Sequence, residues 1–222
     1  MILQRTDEWF AARRGKPTAS EMWRLMAGND AVNRFKSEKL AERMCGHFSN
    51  RADQDNVHIR RGIELEPEAI RAYEAKTGLL TTEGYWVDKV SWGCTPDAFV
   101  EEDGLLQVKC PTAINAIKTR YYSGDDWRVS QKEYYWQVMA EMAGTDRQWA
   151  DVGIYCKEFA DPDLWLYVKR IERDENAVAE LLEKIDEFCR DLDDKCKPAR
   201  KHDLVQPRPW LAEDDLERFL RA

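Results

Sequence analysis

Cys94-Thr95-Pro96-Asp97-Ala98-Phe99-Val100-Glu101-Glu102-Asp103-Gly104-Leu105-Leu106-Gln107-Val108-Lys109-Cys110-Pro111 is the stretch whose reading decides the fold. Ala98 to Val100 and Leu105 to Cys110 read as two short strands. Glu101 to Gly104 reads as the turn between them, because an Asp-Gly pair tolerates positive φ. Pro111 ends the second strand, since it has no N–H to give a ladder. Side chains alternate along a strand, so Gln107 and Lys109 share one face and Val108 takes the other. Asp97 opens the first arm, which lets its carboxylate and the Gln107 side chain meet at one point.

Outward from this hairpin, Tyr85-Trp86-Val87 and Ser91 to Cys94 read as further short strands. Trp149 to Cys156 and Leu164 to Ile171 form a second hairpin across a polar turn. Helices are expected at Ser37 to Phe48, from Gly62 to about Lys76 with Pro67 in the first turn, and at residues 130–143. Thr77-Gly78 stops the second of these. Residues 50–58 are polar and read as a loop. The clearest amphipathic segment is Glu175 to Leu192, where Val178, Leu181, Leu182, Ile185, Phe188, Cys189 and Leu192 make one apolar stripe. Helices first, a β-meander in the middle and helices around it predict an α/β (α+β) domain with a mixed central sheet. One domain is expected over residues 1–197. Residues 198–222 read as a tail with a short helix that could dock on another subunit.

Composition narrows the class. The chain has 222 residues, 43% of them hydrophobic and 34% charged, which suits one substantial globular core. A net charge of −8 argues against a protein that coats nucleic acid non-specifically, yet leaves room for a basic channel inside an acidic exterior. Basic residues do cluster, at Arg13, Arg14 and Lys16, at Arg60 and Arg61, and at Lys118, Arg120, Arg128 and Lys132. The nine Trp are first of all core material. The six Cys contain no C-x-x-C pair and no zinc-like spacing, and no stretch of about 18 apolar residues occurs. A reducing cytoplasm is the expected compartment.

Phosphodiester hydrolysis needs neutralisation of phosphate charge, an activated water and a stabilised leaving oxygen. A Mg²⁺ ion supplies much of this and takes hard oxygen ligands. Asp97, the Gln107 side chain and the Val108 carbonyl offer such oxygens at one point. Lys109, on the Gln107 face, is placed to orient the water or to stabilise the phosphate. By itself this pattern would recur by chance in many chains.

Three further stretches, together with the hairpin itself, raise it. Trp9-Phe10-Ala11-Ala12-Arg13-Arg14-Gly15-Lys16-Pro17-Thr18-Ala19-Ser20-Glu21 is similar to a W-x(3)-R-x-G-x-x-T-A-S-E opening. Arg61-Gly62-Ile63-Glu64-Leu65-Glu66-Pro67-Glu68-Ala69 is similar to a G-x-x-x-E-x-x-A helix start. Cys94 to Asp97 with Gly104 to Pro111 is close to S-P-D-G and L-E-x-K-C-P, and Tyr134-Tyr135-Trp136-Gln137-Val138 to Y-x-x-Q-V. Together, in this order, they resemble the phage lambda exonuclease (YqaJ-like viral recombinase) branch of the PD-(D/E)xK nucleases over roughly residues 9–142.

The resemblance implies a restriction-endonuclease-like core and a 5′→3′ double-strand DNA exonuclease that leaves 3′ single strands for annealing. It implies Mg²⁺ (Mn²⁺ as substitute) with two ions per site. It also implies a ring-shaped homotrimer, 5′-phosphorylated duplex ends as substrate, a single-strand annealing protein as partner, and a phage or prophage in a bacterial host. Carried over by position, Glu66, Asp97, Gln107 and Val108 hold the metal, Lys109 is the catalytic lysine and Gln137 lies beside the site. Arg13, Thr18, Ser20, Thr95 and Lys118 bind the 5′ phosphate and DNA; guanidinium and hydroxyl groups suit phosphate oxygens. The plainer readings are a surface Arg13 and a Ser20 that caps a helix.

Two positions depart from the family. An Arg that should follow the C-P dipeptide has no match at Asn115; Lys118 or Arg120 stands in its place. Gln107 stands where the family has Glu, so the site loses one negative charge. Severely reduced hydrolysis with retained DNA binding is expected. An inactivated form of an active enzyme is favoured over a degenerate natural member, since the other catalytic positions are intact. The alternatives are a structure-specific or restriction-like endonuclease on the same core, and a non-catalytic DNA-end-binding module. An iron–sulfur nuclease is disfavoured by the Cys spacing.

Overall fold

The computed structural model describes residues 1–46 and 57–197. Its centre is a five-stranded sheet in the order β1-β4-β5-β6-β7, built from β1 (Thr81–Glu83), β4 (Ala98–Val100), β5 (Gly104–Lys109), β6 (Trp149–Tyr155) and β7 (Leu166–Glu172). Every neighbouring pair is antiparallel except β5 and β6, which run parallel. Parallel neighbours need a crossover. Here it carries three helices, α4 (Ala113–Tyr122), α5 (Trp127–Ser130) and α6 (Lys132–Thr145). A separate two-stranded ribbon pairs β2 (Val87–Asp88) with β3 (Gly93–Cys94). The expected mixed sheet flanked by helices is what forms.

Alternation along the strands divides the apolar residues between two faces. Phe99, Leu105, Ala150, Val152 and Ile154 join a cluster with α6, a 3₁₀ helix at Ala19–Met26 and the stripe of α7 (Glu175–Cys196). Ala98, Val100, Leu106, Val108 and Leu166 join Ala69 and Tyr73 of α3 (Val57–Thr77) on the other side. Asp174 caps α7 by accepting from the backbone N–H of Asn176 (2.9 Å) and Ala177 (3.2 Å).

Several elements differ from the sequence expectation. α2 runs Asn29–Cys45 rather than from Ser37, and it stops where Gly46 turns left-handed at φ 71°. Phe48 lies outside the described residues, as do residues 50–56 of the expected loop and the whole tail 198–222. Pro67 lies inside α3, not in its first turn, because the helix already starts at Val57. The residue it disturbs faces solvent, so the missing N–H is tolerated. α4 was not expected: Ile114, Tyr121 and Tyr122 are exposed on it, which blurs its apolar stripe. β1 is polar and short, and it is a strand only through its pairing with β4. The segment at residues 130–143 divides at Gln131, whose φ of −131° separates α5 from α6.

A buried polar bridge ties α3 to the sheet. Tyr73 donates its hydroxyl to Asp151 (2.7 Å), and Arg170 grips the same carboxylate with two bonds of 2.9 and 2.8 Å. Arg170 also stacks 3.6 Å over the Trp149 ring. Tyr73→Phe leaves Asp151 with its Arg170 bonds, so the expected loss is about 1 kcal/mol and about 2–4 °C in thermal unfolding. An unchanged melting temperature would mean that the bond contributes nothing.

Candidate active site

One cleft of about 1170 Å³ opens at the end of β4 and β5 and is lined by residues from every motif of the sequence. Two local features shape it. Gly84 lies against the strand that carries Asp97: a Cβ there would sit 1.8 Å from the Pro96 carbonyl oxygen. Gly15 has φ 67°, and a Cβ would meet the Arg43 side chain at 2.4 Å. Both glycines let separate pieces of chain close on the site.

Asp97 is the electrostatic centre. Its Oδ2 accepts from the Gln107 Nε2 at 2.6 Å and from the Val108 backbone N–H at 2.7 Å. Burial holds its carboxyl above the usual carboxylate range, opposed by Lys109 and by these hydrogen bonds. Glu66 reaches the same cleft from α3 and is paired to Arg5 at 2.5 Å. Burial raises its carboxyl too, and the Asp97 charge adds to the effect. The Val108 side chain packs into the apolar cluster on the far face, as alternation requires.

Lys109 and Gln137 form a short relay. Lys109 donates to the Gln137 carbonyl oxygen (2.9 Å), and Gln137 donates its amide to Glu141 Oε1 (2.9 Å). An ammonium can only donate, so Lys109 fixes the amide oxygen towards itself and turns the Gln137 Nε2 to Glu141. Glu141 is fully buried, its Oε2 has no partner among the described residues, and burial pushes its carboxyl up to about 8.

A second subsite lies along the cleft. The Arg13 guanidinium stacks 3.8 Å over Trp9 and reaches Thr18 Oγ1 at 3.5 Å. Trp9 Nε1 donates to Thr95 Oγ1 (3.0 Å), and the Thr18 and Ser20 hydroxyls stand 3.3 Å apart. Ser20 is not the helix cap: Thr18 is, and Glu21 accepts from its backbone N–H at 3.0 Å. That leaves the exposed Ser20 hydroxyl facing the cleft.

All the expected site residues line this cleft except Lys118, which stands exposed on α4 outside it. Arg120 does not replace it there. It donates to the Leu164 carbonyl at 3.3 Å and stands over Tyr167. Neither residue expected to stand in for the missing family Arg therefore lines the cleft. Arg61 turns out to be an anchor: it donates to the carbonyls of Cys110 (3.1 Å) and Pro111 (3.2 Å) just after β5.

The residues that sequence reasoning missed include Gln4, Arg5, Lys39, Glu42 and Glu141. Glu141 carried a signal, since it follows Gln137 by one helical turn. Gln4 and Arg5 carried none.

Glu66, Asp97, the Gln107 amide oxygen and the Val108 carbonyl are all oxygen donors of the kind a hard divalent cation takes. Gln107 Oε1 is buried and has no partner among the described residues, which suits a ligand. The charge is what falls short. Among the described residues no three His, Cys, Asp or Glu side chains form a metal-holding group. The amide at position 107 leaves two carboxylates among these donors where a Glu would make three.

Residues 8–148 match the YqaJ-like viral recombinase domain, and the chain belongs to that family. It is 32% identical to an alkaline exonuclease (LHK-Exo) from Laribacter hongkongensis, with a TM-score of 0.76 over 86% of this chain and 94% of that one. LHK-Exo in complex with dAMP gives the same values. A phage related exonuclease from Haemophilus somnus 129PT shares the fold at 14% identity and a TM-score of 0.69, covering 81% of this chain and 94% of that one. A comparison with curated protein sequences gives no match. Among the described residues, no helix is long and apolar enough to cross a membrane.

The raised Glu141 carboxyl gives a pH prediction. The folded state holds this proton more tightly than the unfolded chain, so the stability it contributes is full below about 4.5 and falls as pH rises to about 8. Glu141→Gln removes that loss and keeps an acceptor for Gln137. Its melting temperature is expected to exceed that of the native protein by a margin that widens from pH 5 to pH 8.5. Parallel curves would contradict the assignment.

Proposed function

We propose that this chain is a DNA-end nuclease of the lambda exonuclease type, acting 5′→3′ on duplex DNA and leaving a 3′ single strand. The observation that carries the reading is the meeting, in one cleft, of Asp97, Gln107 and the Lys109–Gln137 relay with the Arg13, Thr18 and Ser20 subsite. The 32% identity to an alkaline exonuclease over most of both chains supports it. The 5′-phosphate preference, the homotrimeric ring and the annealing partner are proposed with it on the strength of the resemblance.

In this reading Arg13 binds the terminal phosphate through charge-assisted bonds, helped by Thr18, Ser20 and Thr95. Lys109, held by Gln137, orients the attacking water and meets the charge that grows on the phosphate. Glu66, Asp97, Gln107 and the Val108 carbonyl would hold Mg²⁺ or Mn²⁺, which supplies phosphate neutralisation and water activation when bound. Gln107 weakens this part. Its amide already donates to Asp97 and brings no negative charge. DNA-end binding with little hydrolysis is therefore the expected behaviour of the chain as it stands.

The same contact favours a second reading, a DNA-end-binding module that performs no chemistry. Native protein and Gln107→Glu, assayed with Mg²⁺ on linear 5′-phosphorylated, linear 5′-hydroxyl and closed circular duplex, separate the two. Gln107→Glu is expected to raise digestion of the 5′-phosphorylated substrate by roughly 100-fold or more, the scale of one lost electrostatic contact in an active site. Cutting of closed circles would overturn the exonuclease reading. Inactivity of both proteins with phosphate-dependent binding would establish the binding module.

A further inference from the structure

Beside Arg13 lies a group of buried and half-buried charges that the proposed chemistry does not use. Lys39, on α2, has only 5% of its side chain exposed. Its ammonium lies 2.9 Å from Glu21 Oε1 and 3.3 Å from Glu42 Oε2. Each carboxylate is also tied to the subsite backbone. Glu42 accepts from the Gly15 N–H at 3.0 Å, and Glu21 accepts from the Thr18 N–H at 3.0 Å and from the Thr18 hydroxyl at 2.8 Å. Both glutamates act electrostatically on Arg13, whose basicity is lowered first by burial and restored in part by them. Yet Arg13 makes no ion pair with a carboxylate among the described residues; it rests on Trp9 and Thr18.

A buried carboxylate (Glu42) and a half-buried one (Glu21) beside one guanidinium would ordinarily claim it, because an unpaired buried charge is costly and Arg forms the better pair. Lys39 is what stops this. It takes up both carboxylates, while their backbone bonds hold the Gly15–Thr18 loop in place. We propose that Lys39 is a positioning residue for phosphate recognition: it occupies Glu21 and Glu42 so that Arg13 stays available to the 5′ phosphate of a DNA end. The inference rests on the reading of Arg13, Thr18 and Ser20 as that phosphate's subsite. Lys39 does not touch the phosphate itself.

The test is the ratio of affinities for 5′-phosphorylated and 5′-hydroxyl duplex of one sequence, measured by fluorescence anisotropy in EDTA. The native protein is expected to prefer the phosphate by about 10-fold, as one charge-assisted contact gives. Lys39→Met is expected to bring the ratio close to one while binding of the 5′-hydroxyl duplex changes by about twofold or less. Glu42→Gln keeps an acceptor for Gly15 but removes one competitor, and its ratio is expected to rise above the native value. Lys39→Arg is expected to keep the native ratio.

A merely structural Lys39 would weaken both duplexes equally and leave the ratio alone. That result overturns the proposal, as does a Glu42→Gln ratio at or below native even where Lys39→Met fails to fold. A native ratio of one would overturn the phosphate subsite itself and this inference with it. A native preference kept in both variants overturns this inference alone.

Discussion

A carboxylate at the bottom of a cleft must be compensated, and Asp97 sets the terms for everything around it. It takes one backbone donor from Val108, which fixes the register of the two arms of the hairpin. It takes a second donor from the Gln107 amide at 2.6 Å. Two ionised carboxylates could not stand at that separation without a shared proton or a cation between them. The amide thus does by itself, in the chain as it is, what a Glu would need a proton or a bound ion to do. Lys109 adds its charge from the same face and donates to Gln137. The sheet exists to hold these groups, and the parallel β5–β6 pair brings the helix with Gln137 and Glu141 back over them.

The core was legible wherever periodicity and burial agreed. β5 and β6 are almost wholly buried apolar runs and α7 carries a strong stripe, and the expected bounds of these and of β7 hold within a few residues. The losses came where tertiary pairing overrides local pattern. β1 is Thr-Thr-Glu and is a strand only because β4 lies beside it. α4 leaves Ile114 and Tyr122 in solvent, so its sequence has no clean polar face to read. α3 runs through Pro67, since the disturbed turn is exposed and the helix is anchored further on by Ala69 and Tyr73.

The site was legible as a set of motifs and illegible as a network. Asp97, Gln107, Lys109 and Gln137 follow from spacing and resemblance, and the cleft brings them together. Their partners do not follow. Arg5 reaches Glu66 across sixty-one positions of chain, a contact that no local pattern encodes. Lys39 and Glu42 form an ordinary-looking i,i+3 pair on α2; their burial, not their spacing, makes them notable. Lys118 shows the reverse failure. A basic residue at a plausible place in the sequence stands on the outer face of a helix.

The proposed function turns on how position 107 compensates Asp97, and metal affinity reads this directly. Isothermal titration of Mg²⁺ into the native protein and into Gln107→Glu, without DNA, compares an amide that must release Asp97 with a carboxylate that adds charge. The expected result is binding at least about 10-fold weaker in the native protein, about 1.4 kcal/mol. Equal affinities would contradict the account, because the Gln107 amide would then not be what limits the site.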